Sequence, residues 1–320
     1  MRYALAVISV IMMASCVKQE AMLSSEEQAM LDSTALKVAV MPVLSSLPVY
    51  YAERTGIMDS MGLDIRLQRF QAQMDIDTAI VRQHVDIAAS DLIRALRLWS
   101  DTTQVRAFMA VDEPIALVAL KGKRVSKVNQ LKEKMVSISR LCITDYWCDQ
   151  MIDSTEVSHT DFYRPQVHDV GLRTEMLRTG LMDAAILPEP YVSWMKAAGH
   201  RELRRTDDSS PRLAVWVVRN SLRADSAKME QIRAFRRAYD RAVEQLDAGE
   251  HADAVTAILQ QEYGLPPQVL DSLVLPRPKP SMNPRKEDAE TAAKWLKGRG
   301  RMPRTAKTDS LCIGPDFQTE

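Results

Sequence analysis

The chain has 320 residues and equal numbers of basic and acidic side chains, 42 of each. That length is enough for two domains with a sizeable core, and the zero net charge leaves no global field favouring nucleic acid or an anionic membrane surface. A hydrophobic content of 46% with no long polar tract argues against extensive disorder in the middle of the chain.

The N-terminal stretch MRYALAVISVIMMASC carries one Arg, an apolar run from Tyr3 to Ala14, then small residues before Cys16. The run is too short to span a bilayer but suits the core of a signal peptide. Small residues preceding a Cys are similar to a bacterial lipobox, in which that Cys is lipidated. Residues 1–15 are therefore expected to be a signal peptide, Cys16 the lipidation site, and residues 16–35 a polar tether. An exported, membrane-anchored protein at the periplasmic face follows.

From Leu36 the pattern alternates strand and helix. LKVAVMP (36–42) reads as a strand, and the next segment places Leu47, Tyr50, Tyr51 and Ile57 at helical spacing. LDIRLQRF (63–70) alternates as a half-buried strand. A helix carries Ile76, Ile80 and Val81, VDIAASD (85–91) is a strand, and a helix runs through Leu92, Leu96 and Trp99. VRAFMAV and IALVALKG add two extended runs. A second series contains KMVSIS (134–139), a helix from about Asp145 to Asp153, an extended RPQVHDV (164–170) and a helix over Thr174–Arg178. It ends in the run Ala184–Leu187, closed by Pro188, Glu189 and Pro190 before another helix.

RLAVWVVRN (212–220) returns to strand. Beyond it, Met229, Ile232, Phe235, Tyr239, Val243 and Leu246 recur at three- and four-residue steps, the mark of an amphipathic helix. Further helices are expected to end at Gly264, to start near Pro266 and Pro267, and to cover EDAETAAKWLKG, the last after a Pro-rich link. Alternation of this kind predicts parallel β-α units with helices on both sheet faces. The expected organisation is a first lobe of 36–120 and 203–298, a second lobe of 121–202, and an accessory tail of 299–320. Two crossings between the lobes make a hinge.

Catalytic signatures are absent: no G-x-S-x-G elbow, Walker loop, H-E-x-x-H or G-x-G-x-x-G occurs. His84, His159, His168, His200 and His251 are scattered, so neither a metal nor a cofactor is implied. Export permits a disulfide among Cys142, Cys148 and Cys312, but spacing alone does not establish one.

The segment from Lys37 to Asp91 resembles the opening lobe of type II periplasmic substrate-binding proteins. The similar branch serves ABC importers of sulfonates, taurine, nitrate and thiamine-precursor pyrimidines. The resemblance rests on the helix end AERTGI (Ala52–Ile57), on GLDIRL, FQAQMD and VDIAASD, on LKGKRV at the lobe junction, and on AILPEPY, in that order over about residues 36–220. It implies a two-lobe α/β fold, each lobe a mixed sheet flanked by helices, closing over a small solute. It also implies permease and ATPase partners and no nucleic acid. The turn SRLCITDYW (139–147) departs from the family's usual Gly/Ser/Thr-rich turn and bears on ligand identity.

In such a clamshell, ligand is touched by strand ends and by the helix N-termini that follow them, whose free N–H groups suit anionic groups. The candidates are Ser45 and Ser46 before Pro48, Gln71 and Gln73, Ser90 and Asp91, Thr144, Asp145, Tyr146 and Trp147, and finally Glu189. The Ser, Thr and Asp residues are equally natural as helix caps, the aromatics as core, and Glu189 as a hinge brace. Asp91 and Glu189 with the two aromatics suit an amine-bearing heterocycle, while Arg140 or Arg173 is placed to reach an acid group. The expected ligand is a small polar organic solute, taurine-like or pyrimidine-like. Two alternatives share the fold: a ligand-sensing lipoprotein and a chorismate-dehydratase-like enzyme.

Overall fold

The computed structural model describes residues 34–100, 105–153, 155–303, 308 and 310–313. The expected signal peptide, Cys16 and nearly all of the tether lie outside them, as does much of the 299–320 stretch. In chain order the strands are β1 (Leu36–Val40), β2 (Ile65–Arg69), β3 (Ile87–Asp91), β4 (Val105–Ala110), β5 (Ile115–Ala119), β6 (Val136–Ser137), β7 (Ala184–Pro188), β8 (Arg201–Arg205) and β9 (Ala214–Arg219). The helices are α1 (Leu47–Arg54), α2 (Ile57–Ser60), α3 (Gln73–Val81), α4 (Leu92–Ser100), α5 (Ile143–Asp153) and α6 (Val170–Arg178). They continue with α7 (Tyr191–Ala197), α8 (Ser226–Ala248), α9 (Ala252–Gln261), α10 (Pro267–Leu270) and α11 (Lys286–Gly298).

Two mixed sheets result. The first has the order β2-β1-β3-β9-β4 and the second β6-β7-β5-β8. β1 pairs in parallel with β2 and β3, whereas β9 runs antiparallel to β3 and β4. The apolar runs explain why: β9 (AVWVVR) is buried over five of its six residues, so it must lie inside a sheet covered on both faces. Trp216 of β9 packs on Phe235 of α8 with ring centroids 4.9 Å apart. α8 buries the stripe Met229, Ile232, Phe235, Tyr239 and Val243 anticipated from its spacing. Asp225 caps its start by accepting from Lys228 N at 3.0 Å, and Gly249, at φ 74°, ends it in the left-handed region where a side chain would be strained.

Sheet membership shifts the expected boundaries between the halves. β5 and β8 pair with each other in the second sheet, so the chain crosses at 111–114 and 206–213 rather than near 120 and 203. Both crossings are tied by one residue of the Pro-rich link: Lys279 Nζ lies 3.4 Å from Asp112 and 2.5 Å from Asp208. β8 (RELRR) was not anticipated, because four of its five residues are charged and none is fully buried at the sheet edge. The 164–170 stretch forms only an isolated bridge, Gln166 with Ile138, next to that of Tyr163 with Met135; Pro165 within it has no N–H to donate. Asp169 caps α6 through Leu172 N, so that helix starts at Val170, before Thr174.

The C-terminal part adds two contacts. α11 packs on α4 of the first half, while its Trp295 Nε1 donates to Asp149 of α5 in the second half at 2.7 Å. Beyond it, Leu311 and Ile313 are fully buried and bond the backbone of Ala107 in β4 at 2.9 and 3.0 Å. Lack of periodicity therefore did not mean lack of packing there. Cys142, Cys148 and Cys312 are all buried free thiols.

Candidate functional site

A cleft enclosing about 80 Å³ lies where the carboxyl ends of β1 and β3 meet the start of α5, the 166–173 region and the end of β7. Three hydrogen bonds cross it. Leu44 N donates to Glu189 O at 2.9 Å, Val170 N to Gln71 O at 3.3 Å, and Ile143 N to Asp91 Oδ2 at 3.1 Å. The halves are thus in contact around the cleft, in a closed arrangement.

Of the residues anticipated from sequence, Ser45, Gln73, Ser90, Asp91 and Thr144 line this cleft. Ser45 N donates to Glu113 Oε2 at 3.0 Å. Gln73 Nε2 is held by Ala89 O at 3.0 Å. Ser90 Oγ is shut off from solvent without a partner. Thr144 Oγ1 donates to Ser139 O at 3.0 Å. Asp91 is 3% exposed; burial pushes its carboxyl up to about 6, opposed by Arg94 and by the N–H groups of Arg94 and Ile143.

The others are placed elsewhere. Ser46 is fully buried, with its Oγ unpartnered, and does not reach the cleft. Gln71 contributes its carbonyl to the crossing bond and leaves its side chain outside. Asp145 faces away: its Oδ2 accepts Leu141 N at 2.9 Å and its Oδ1 lies 3.4 Å from Arg164. That bond steadies Leu141, whose φ of 53° is unusual for a branched side chain. Tyr146 packs edge-on between Trp147, at 5.0 Å, and Trp295, at 6.0 Å. Trp147 borders a smaller space of about 30 Å³ beside the cleft, shared with Glu113, Ile143 and Ala214.

Glu189 is fully buried and outside the cleft lining. Its Oε2 accepts Ser193 N of α7 at 3.0 Å and its Oε1 pairs with Arg205 at 2.8 Å. The Pro188–Glu189–Pro190 turn thus presents a carboxylate that caps one helix and braces β8, one of the strands bordering the crossings.

Sequence reasoning missed Glu113 and only pointed toward Arg173. Glu113 sits on the first crossing. Burial pushes its carboxyl up to about 8, opposed by Ser45, and its Oε1 is buried without a partner. Arg173, on α6, is 3% exposed. Its Nη1 donates to Val167 O at 2.7 Å, its Nε is unpartnered, and among the described residues it makes no ion pair. Burial pulls it down to about 10, so it stays cationic at neutral pH. His168 also borders the cleft and is hydrogen-bonded to Ser139 Oγ at 2.9 Å. The cleft therefore offers an unpaired carboxyl oxygen, an unpaired guanidinium nitrogen and an unpaired hydroxyl. Among the described residues no trio of His, Cys, Asp or Glu is grouped to hold a metal.

Residues 44–249 match the family model described as NMT1/THI5 like. Compared with curated proteins, the sequence finds no significant relative. Among solved structures, the fold is similar to the alkanesulfonate-binding protein SsuA from Xanthomonas axonopodis pv. citri bound to MOPS. That similarity has TM-score 0.71 at 15% identity, over 85% of this chain and 95% of that one. It is also similar to the periplasmic nitrate-binding protein NrtA from Synechocystis PCC 6803, with TM-score 0.72 at 12% identity over 85% and 83% of the two chains. The periplasmic aliphatic sulphonate binding protein SsuA from Escherichia coli gives TM-score 0.68 at 14% identity over 85% and 94%.

Proposed function

The chain belongs to the NMT1/THI5-like family, and from that premise we propose that it is the solute-binding component of an ABC importer, lipid-anchored through Cys16 at the periplasmic face. The solute is a small organic molecule that carries both an acidic group and an amino or ring nitrogen, as taurine-like sulfonates and aminopyrimidine precursors with an acid group do. It is carried to the permease without chemical change.

One observation supports this reading above the others: Glu113 Oε1 and Arg173 Nε, a buried acceptor and a buried donor, are both unpartnered around one cleft. Unpaired buried polar atoms of opposite character cost free energy unless a ligand satisfies both. The acid group of the solute takes the Arg173 guanidinium, and its N–H groups take Glu113 and Ser90. Contact with both halves makes the closed form the one ligand favours. The resemblance to sulfonate- and nitrate-binding proteins is consistent with an anionic group at Arg173.

The test is mass spectrometry of small molecules released by denaturing freshly purified protein, followed by calorimetric titration of what is found. An amino-bearing sulfonate or acidic pyrimidine that binds wild type and binds Arg173→Gln at least tenfold more weakly is the expected result. Chemical turnover of the released compound by the purified protein would replace transport with catalysis.

A further inference from the structure

A second concave surface of about 530 Å³ opens beside the cleft and shares only His168 with it. Its volume falls within the ~300–1,000 Å³ common for small-molecule sites. Among the described residues, five arginines line it, Arg82, Arg94, Arg97, Arg140 and Arg301, against one carboxylate, Asp77, with Arg97 also engaged in a further interaction. In a chain whose charges cancel overall, this is a strong local excess of one sign.

The five come from three parts of the fold. Arg82 follows α3, and Arg94 and Arg97 lie on α4, all in the first half. Arg140 lies in the turn before α5 in the second half, and Arg301 follows α11. The side chains of Arg82, Arg140 and Arg301 make no hydrogen bond or ion pair among the described residues. Arg94 is different in kind. It is 2% exposed, ion-paired to Asp77, and its Nε is buried with no partner. A shielded guanidinium with an unsatisfied donor at the wall of an arginine-lined groove adds an unmet hydrogen-bond donor to the local positive charge.

We propose that this groove is a second binding site, distinct from the solute cleft, for a small multiply charged oxyanion of the phosphate class. Closure brings Arg140 of one half toward Arg82, Arg94 and Arg97 of the other, and like charges within a Debye length repel. A multivalent anion bridging them removes that repulsion and favours the closed arrangement. A monovalent anion neutralises too little of the excess to do the same. The inference stands whether or not the importer reading does.

Calorimetric titration with sodium pyrophosphate and with inorganic phosphate, at ionic strength fixed with chloride, tests it. Saturable one-to-one binding is expected, tighter for pyrophosphate and weakening as salt rises. The double variant Arg82→Gln/Arg140→Gln changes only exposed side chains, so its thermal melt in chloride should match wild type while pyrophosphate affinity falls at least tenfold. Arg173→Gln, in the cleft, should change that affinity less than twofold. No saturable heat at millimolar anion, equal binding by the double variant, or loss of binding in Arg173→Gln instead would each overturn the proposal.

Discussion

Asp91, at the end of β3, accepts a hydrogen bond from the backbone N–H of Ile143, at the start of α5, 3.1 Å away across the cleft. Its other oxygen accepts Arg94 N at 3.0 Å. One carboxylate thus caps the helix that follows its own strand and holds the first turn of a helix from the opposite half. It does so while buried, which raises its proton affinity to about 6.

That value fixes the sign of a pH effect. A carboxyl bound more tightly to its proton in the folded chain than in the unfolded one contributes stability that is complete below about 4 and lost as pH rises through about 6. The loss attributable to Asp91 is on the order of 3 kcal/mol. In Asp91→Asn the slope of stability against pH between 4 and 6, measured by urea denaturation, should flatten. The same variant should show a larger ligand-saturated radius of gyration in solution scattering, because the Asn side chain has a single carbonyl to share between Arg94 N and Ile143 N.

Glu113 behaves alike over a higher window, its carboxyl being pushed up to about 8. The sign is the same: stability from this group is full below about 4.5 and lost as pH climbs to 8. Glu113→Gln keeps an acceptor for Ser45 N and removes the ionisation. At pH 9 the ligand-free variant should be more stable than wild type by roughly 2 kcal/mol or more. At that same pH, where the wild-type carboxyl is ionised, the variant's affinity for the cleft ligand should fall about tenfold, the worth of one buried hydrogen bond to a charged group. A variant that gains stability and keeps full affinity would remove Glu113 from the binding role.

Glu189 should give the opposite pattern. Glu189→Ala leaves Ser193 N without its cap and removes a buried partner of Arg205. Breaking such a pair costs about 3 kcal/mol, which should appear as a lower urea midpoint with an unchanged slope. Ligand affinity, measured under folding conditions, should stay within about threefold of wild type, since the carboxylate lies outside the cleft lining.

The anchor is tested separately. Cys16→Ser should move the protein from the membrane pellet to the soluble fraction, since lipidation through Cys16 is the proposed attachment. Wild-type membrane association persisting in the variant would require another attachment.

Much of the fold was legible because β1, β3, β7 and β9 are apolar runs and α8 keeps its stripe over 23 residues. β8 was not, since RELRR gains strand structure only from pairing with β5, where Arg204 lies opposite Leu117. The cleft was legible at strand ends, where Ser45, Ser90 and Asp91 fall naturally. It was illegible within α5, because consecutive helical residues point about 100° apart. Thr144 therefore faces the cleft while Asp145 and Tyr146, next to it, face Arg164 and Trp295. Glu113 was hidden for a topological reason: with β5 assigned to the first half, the segment 111–114 looked like an ordinary loop instead of a passage between sheets.

The grip of α11 on both halves carries a mechanical consequence. Besides the two crossings and the bonds across the cleft, Trp295 Nε1 and Arg299 both fasten this helix to Asp149 of α5, while the same helix is seated against α4. Swinging the halves apart must either undo that fastening or drag the helix off its seat. A chain terminated before Lys286 would lose this restraint, so α11 limits how far the two halves stand apart.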